Sequence, residues 1–102
     1  IKRIYNEQEV LKCKKAMNQH NCYAKRFAAK EAFSKAIGTG ISNGINFNEI
    51  VVLNHRSGKP YIDLKGETKK KIKKILKQKK IQISLSISDE RDYAVAFVTI
   101  SV

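Results

Sequence analysis

Apolar side chains recur along this chain at two spacings, and the change from one to the other divides it. Ala29, Ala32, Phe33, Ala36 and Ile37 fall at i, i+3, i+4, i+7 and i+8. That is one stripe on a helix, and its alanines let a second element approach closely. Phe27, Glu31 and Lys35 fall at i, i+4 and i+8 on another face, so a ring, a carboxylate and an ammonium project side by side. The helix is expected from about Tyr23 to Ile37, with Gly38 as its left-handed stop and Gly40 and Gly44 in the loop beyond. Ahead of it, Asn6 followed three residues later by Glu9 has the form of a capping box. Val10, Leu11 and Met17 give that first helix an apolar side, and it is expected to run to about Asn18 or His20. Asn18-Gln19-His20-Asn21 is a polar break.

Beyond residue 46 the period shortens. Ile50-Val51-Val52-Leu53 and Tyr61-Ile62-Asp63-Leu64 read as strands joined through Arg56-Ser57-Gly58-Lys59 and Pro60, a hairpin. Gly66 to Lys80 returns to helical spacing, with Ile72, Ile75 and Leu76 as a narrow stripe among lysines. Ile81 to Ser88 alternates apolar with Gln and Ser, a half-buried strand. Asp89-Glu90-Arg91 is a turn, and Asp92 to Val102 carries a last strand. Tyr93, Val95, Phe97 and Thr99 lie on one of its faces and Ala94, Ala96, Val98 and Ile100 on the other, so it should be central or covered by an interface. The order α-α-β-β-α-β-β predicts an α+β fold, an antiparallel sheet with helices packed on it, with residues 1–102 as a single domain.

The length of 102 residues suits one modest core, and no apolar run approaches the ~18 residues of a membrane span. No signal peptide is visible, although the chain begins at Ile1 rather than Met. Charge changes the picture more: 21 basic against 9 acidic residues give +12. Such a balance suits nucleic acid, phosphate-bearing small molecules or an acidic protein, or simply a lysine-rich surface. The lysine run of the third helix contains no aromatic residue to stack on bases, so it reads as a solvated face. Cys13 and Cys22 sit in neither a C-x-x-C nor a metal-ligand spacing, and the expectation is reduced thiols in a cytosolic protein.

No P-loop, H-E-x-x-H or G-x-S-x-G motif is present, and His20 and His55 are isolated. Glu31 and Lys35 by spacing alone make an ordinary exposed helix pair, worth about 0.3–0.5 kcal/mol. A carboxylate, a divalent metal and a lysine beside a glycine loop are also a kit for holding a diphosphate.

The longer pattern is specific. Arg26-Phe27-Ala28-Ala29-Lys30-Glu31-Ala32, then Lys35-Ala36 and Gly38-Thr39-Gly40, resembles the central motif of the holo-acyl-carrier-protein synthases. These form the small homotrimeric class of 4′-phosphopantetheinyl transferases. Gly58-Lys59-Pro60, Ser84-Leu85-Ser86-Ile87-Ser88 and Asp92-Tyr93-Ala94-Val95-Ala96 match in the same order. The resemblance implies Mg²⁺-dependent transfer of the phosphopantetheine arm of coenzyme A to a serine of an acidic apo-acyl carrier protein. Adenosine 3′,5′-bisphosphate leaves, and the reaction serves fatty acid biosynthesis in the cytoplasm.

It further implies that Glu31 is a metal ligand that helps activate the serine through water, and that Lys35 lies near the diphosphate. Arg26, Lys35, Gly38, Thr39, Gly40, Gly58, Lys59, Pro60 and Asp89 correspond to positions around coenzyme A. Phe27 lies near the carrier-protein contact. Lys2, Arg3, Lys12 and Lys14 suit steering of an acidic partner, and the last strand suits a trimer interface with coenzyme A between subunits. Neither membrane nor nucleic acid is implied; a non-catalytic basic module binding RNA or an acidic protein is the alternative. Two departures stand out. The family's opening Gly-x-Asp-Ile strand, whose Asp is a second metal ligand, has no counterpart here, so an N-terminal segment is expected ahead of Ile1. Many members have His where this chain has Asp89, which sets a carboxylate near a phosphate unless it binds metal or pairs with Arg91 or Lys59.

Overall fold

A computed structural model of the chain describes residues 4–38, 44–77, 81–90 and 93–101. Its elements are α1 (Glu7–Lys14), α2 (Gln19–Ile37), a 3-10 turn (Phe47–Glu49), β1 (Ile50–Asn54), β2 (Pro60–Leu64), α3 (Gly66–Leu76), β3 (Gln82–Asp89) and β4 (Ala94–Ser101). The α+β expectation and its element order hold, and the pairing is antiparallel throughout the described strands. It comes as two ladders: β1 with β2, Val52 opposite Ile62, and β3 with β4, Leu85 opposite Val98. β2 lies beside β3, and α2 packs across β4 and β1.

The capping box forms as expected. The Asn6 side chain accepts from Gln8 N at 2.7 Å, and the Glu9 carboxylate accepts from Asn6 N at 2.9 Å. α1 nevertheless ends at Lys14, earlier than its apolar spacing suggested, and α2 begins at Gln19 rather than Tyr23. Asn18 is the reason. Its side chain accepts from Asn21 N at 3.0 Å, the arrangement that opens a helix. The polar break thus becomes the first turn of α2, and the bend moves back to residues 15–18.

That bend overturns the reading of the cysteines as reduced thiols. It folds α1 back on α2, bringing the Cα atoms of Cys13 and Cys22 to 5.4 Å, and their sulfurs are joined in a disulfide. A separation of nine residues marks no cysteine motif; only the helix reversal makes the two neighbours.

Of the expected α2 stripe, Ala29 and Phe33 are buried against the sheets and Ala32 and Ile37 half-buried, but Ala36 is exposed: the buried face runs instead through Arg26, Lys30 and Ser34. Phe33 packs with Ile45, Phe47, Ile50, Leu64 and Ile72, and Ala29 with Val52 and Leu85. Ala96 and Val98 of β4 pack against the second of these groups. The opposite face of β4 is open within the chain, with Phe97 66% exposed and Tyr93, just ahead of the strand, 62% exposed. α3 ends at Leu76, where Lys77 takes a left-handed conformation (φ 55°); residues 78–80 of the expected helix lie outside the described residues.

Candidate active site

Arg26 stands on the inner side of α2, one turn after Cys22. Its Nη1 donates to the Cys22 carbonyl and to Cys22 Sγ, both at 3.3 Å, and its Nη2 donates to Asn54 Oδ1 at 2.9 Å. Its Nε is buried with no partner among the described residues. Burial pulls the Arg26 pKa down, against the nearby Glu9 carboxylate and Tyr5. The guanidinium is thus a rigid cation with donor capacity to spare, set in the wall of a cleft of about 890 Å³.

The end of α1 contributes Lys12 and Lys15 to this cleft, α2 contributes Asn21, Lys25 and Arg26, and β1 contributes Asn54. The β1–β2 turn contributes His55, Arg56, Gly58 and Pro60, and the end of β3 contributes Asp89. The turn is held by Asn54 Nδ2 donating to the Gly58 carbonyl at 3.0 Å and by His55 N donating to the Lys59 carbonyl at 2.8 Å. Gly58 takes φ 95°, which a side chain would resist. The His55 ring stacks on Tyr61 with centroids 4.1 Å apart. Five cationic side chains therefore face one carboxylate among the described lining residues, an arrangement suited to a phosphorylated ligand. Among the described residues Asp89 does not pair with Lys59: its Oδ2 lies 3.5 Å from Lys25 Nζ, and its Oδ1 accepts from Asn21 Nδ2 at 3.3 Å, while its other expected partner, Arg91, lies outside the described residues.

Glu31 lies elsewhere. Five residues past Arg26 it is turned about 140° around the helix, and it lines a second hollow of about 530 Å³ with Phe27, Phe47, Asn46 and Asn48. Phe27 meets Phe47 edge-on, with centroids 6.0 Å apart. Lys35 is exposed, lines neither hollow and forms no ion pair with Glu31 among the described residues. Gly38 is the left-handed cap of α2, its N–H donating to the Ser34 carbonyl at 3.2 Å. Lys59 is exposed and lies outside the cleft lining. Thr39 and Gly40, and with them Lys2, Arg3, Arg91 and Asp92, lie outside the described residues.

Within one chain, then, Arg26, Gly58, Pro60 and Asp89 come together and Glu31 stays apart. Lys15, Lys25, Asn54, His55 and Arg56 are cleft residues that sequence reasoning did not single out. Lys25 is legible in retrospect as the cation beside Arg26; Arg56 and His55 gain their place only from the hairpin.

Residues 1–98 match the 4′-phosphopantetheinyl transferase superfamily. The chain is similar to the holo-[acyl-carrier-protein] synthase of Pelagibacter ubique, with 49% identity over 98 residues, covering 96% of this chain and 77% of that protein. The corresponding protein of Ehrlichia chaffeensis is 43% identical over 103 residues, covering 98% and 76%. Among solved structures, holo-[acyl-carrier-protein] synthase from Neisseria meningitidis superposes with a TM-score of 0.84 at 40% identity, covering 98% of this chain and 78% of that one. The Helicobacter pylori protein, in complex with coenzyme A, superposes with a TM-score of 0.77 at 31% identity, covering 97% and 78%.

Proposed function

The chain belongs to the 4′-phosphopantetheinyl transferase superfamily, and from that premise we propose that its basic cleft receives the nucleotide end of coenzyme A while Glu31 and Lys35 act at the diphosphate. It is a phosphopantetheinyl transferase of the holo-[acyl-carrier-protein] synthase class. Phosphopantetheine passes from coenzyme A to an apo-acyl carrier protein. In that exchange the serine oxygen of the carrier forms a bond to the phosphorus bearing the pantetheine arm. The bond from that phosphorus to the departing oxygen breaks, the serine proton is lost, and adenosine 3′,5′-bisphosphate leaves.

One observation carries the placement: the buried Arg26, with Nε unspent among the described residues, flanked by Lys12, Lys15, Lys25 and Arg56. Phosphate groups of the nucleotide are held there by charge-assisted hydrogen bonds. Gly58 and Pro60 line the cleft from the β1–β2 turn and Asp89 from the end of β3, while Lys59 is exposed beside them. Gly38, the cap of α2, is a further proposed contact of coenzyme A, together with Thr39 and Gly40, which lie outside the described residues, and Phe27 offers a ring to the carrier.

Magnesium takes one or two carboxylates and completes its shell with substrate phosphates and water. Glu31 is exposed and outside every ion pair of the described residues, so its donor set fits one such ligand. No group of three ligating side chains occurs among the described residues. Bound there, the metal supplies charge neutralisation at the attacked phosphorus. Glu31 itself orients a water toward the serine hydroxyl, and Lys35 adds a positive charge beside the diphosphate.

Arg26 and Glu31 point to different sides of α2, so the two halves of the site meet between copies, Glu31 of one facing the cleft of the next. The open Phe97 and Tyr93 face of β4 suits association of three such copies. The acidic carrier approaches the lysines of α1, among them Lys12 and Lys14. No described helix is long and apolar enough to cross a membrane. The Cys13–Cys22 disulfide removes the thiol argument for a cytosolic setting; the cytoplasm, and a role in fatty acid biosynthesis, are proposed from the family alone.

The test follows the mass of an apo-acyl carrier protein incubated with the protein, coenzyme A and Mg²⁺. Gain of the pantetheine arm, lost on chelation and lost in Glu31→Gln, supports the reading. Transfer that survives both overturns the roles of metal and Glu31.

A further inference from the structure

We propose that Asp89 is a built-in counter-ion that occupies Lys25 and holds down the affinity of the basic cleft for its phosphate ligand. Asp89 is the single carboxylate among the described residues lining a cleft that presents Lys12, Lys15, Lys25, Arg26 and Arg56. It enters from the last residue of β3, and both of its oxygens turn to the first half of α2. Oδ2 lies 3.5 Å from Lys25 Nζ, and Oδ1 accepts from Asn21 Nδ2 at 3.3 Å. The Lys25 and Asp89 side chains are 33% and 50% exposed, so their pairing adds little to folding. A long, partly solvated contact of this kind is exchangeable. An arriving phosphate must take Lys25 from Asp89 and must also approach a carboxylate of its own sign. As the nucleotide product departs, Asp89 recovers Lys25, so the same contact favours release. Asp89 is thereby an affinity-setting residue rather than a direct holder of the nucleotide.

This inference rests on the placement of the nucleotide end of coenzyme A in the cleft. The test is calorimetric titration of adenosine 3′,5′-bisphosphate into the wild type, Asp89→Asn, Lys25→Gln and the double variant, each at low and high salt. Asn at position 89 keeps an acceptor for Asn21 and removes the charge. Asp89→Asn is expected to lower Kd roughly three- to tenfold and to steepen its salt dependence. Lys25→Gln is expected to raise Kd, and in that background the gain from Asp89→Asn is largely lost. Unchanged or weaker binding by Asp89→Asn overturns the proposal, as does a gain that persists in full without Lys25. A wild type that binds no nucleotide overturns the cleft placement itself, and is told apart by the missing wild-type signal.

Discussion

Lys30 Nζ lies 2.8 Å from Glu9 Oε1, and neither side chain has any exposed surface. The ammonium spends its other two protons on the carbonyls of Phe47 and Ile50, each at 2.7 Å. Glu9 Oε1 also accepts from Asn6 N, and its Oε2 accepts from Val52 N at 2.9 Å. Every lone pair and proton of consequence is matched, which is the condition under which a buried pair is tolerated. The pair joins α1, α2, the 3-10 turn and β1. It thus fixes α1, which walls the basic cleft, and the Phe47 segment, which faces Glu31 across the second hollow.

Lys30→Met is expected to destabilise the fold by about 3–5 kcal/mol, because it strands the Glu9 charge and two carbonyls in the core. Adding Glu9→Gln removes the stranded charge and keeps an acceptor for Val52 N, so the double variant recovers part of the loss. Urea unfolding at neutral pH measures both. A Lys30→Met midpoint close to the wild type contradicts the assignment.

Glu49 predicts the acid limb of stability. Burial pushes its carboxyl up, but hydrogen bonds from the Thr68 hydroxyl, the Asn46 amide and the backbone of Thr68 and Glu67 outweigh that and hold it below its usual 4.5. Between the folded value and 4.5 the unfolded chain binds more protons, so stability rises with pH there. The contribution is present above that window and lost as pH falls through it. Thermal melts of Glu49→Gln are expected to show a flatter acid limb than the wild type. Parallel curves for the two proteins rule the contribution out.

Much of this fold was legible in local spacing, and the exceptions share a cause. The burial of Ala29 and Phe33, the Asn6–Glu9 cap and the hairpin around Gly58 depend on residues within a few positions of each other. The second role of Glu9 depends on Lys30 and Val52, 21 and 43 residues away, and no local rule names them. Lys30 carried one usable signal: with Arg26 and Phe33 it forms i, i+4, i+7 on the buried side of α2. The motif containing Arg26 and Glu31 is continuous in sequence, yet helical rotation puts its two halves on different surfaces. The disulfide required the bend at 15–18, whose position Asn18 set by capping α2.

The Cys13–Cys22 crosslink closes a short loop, for which chain entropy gives about 2–3 kcal/mol. Dithiothreitol is expected to lower the melting temperature of the wild type and leave Cys13→Ala/Cys22→Ala unmoved. Two thiols titrating in the untreated, folded protein contradict the crosslink.

Arg26→Lys tests the cleft wall. Lysine retains the charge but cannot reach Cys22, Asn54 and a ligand together through a planar fork. The expected result is a rise of roughly tenfold or more in the Kd for coenzyme A. Unchanged affinity in this variant places the nucleotide elsewhere.

Lys30 and Glu31 are adjacent on α2 and are expected to fail in opposite ways. Lys30 is wholly buried and holds four elements, so its loss shows in unfolding. Glu31 is exposed and outside the ion pairs of the described residues, so Glu31→Gln should keep stability within about 0.5 kcal/mol of the wild type. The amide is a poor substitute for a carboxylate ligand to magnesium, and turnover should fall by roughly a hundredfold or more. Coenzyme A binding measured without metal should barely change, since the cleft around Arg26 is on another side of the helix. Turnover and metal-free binding measured on one preparation separate the two halves of the site. A Glu31→Gln protein that loses metal-free binding as well places Glu31 in the cleft wall and ends the division proposed between the two hollows.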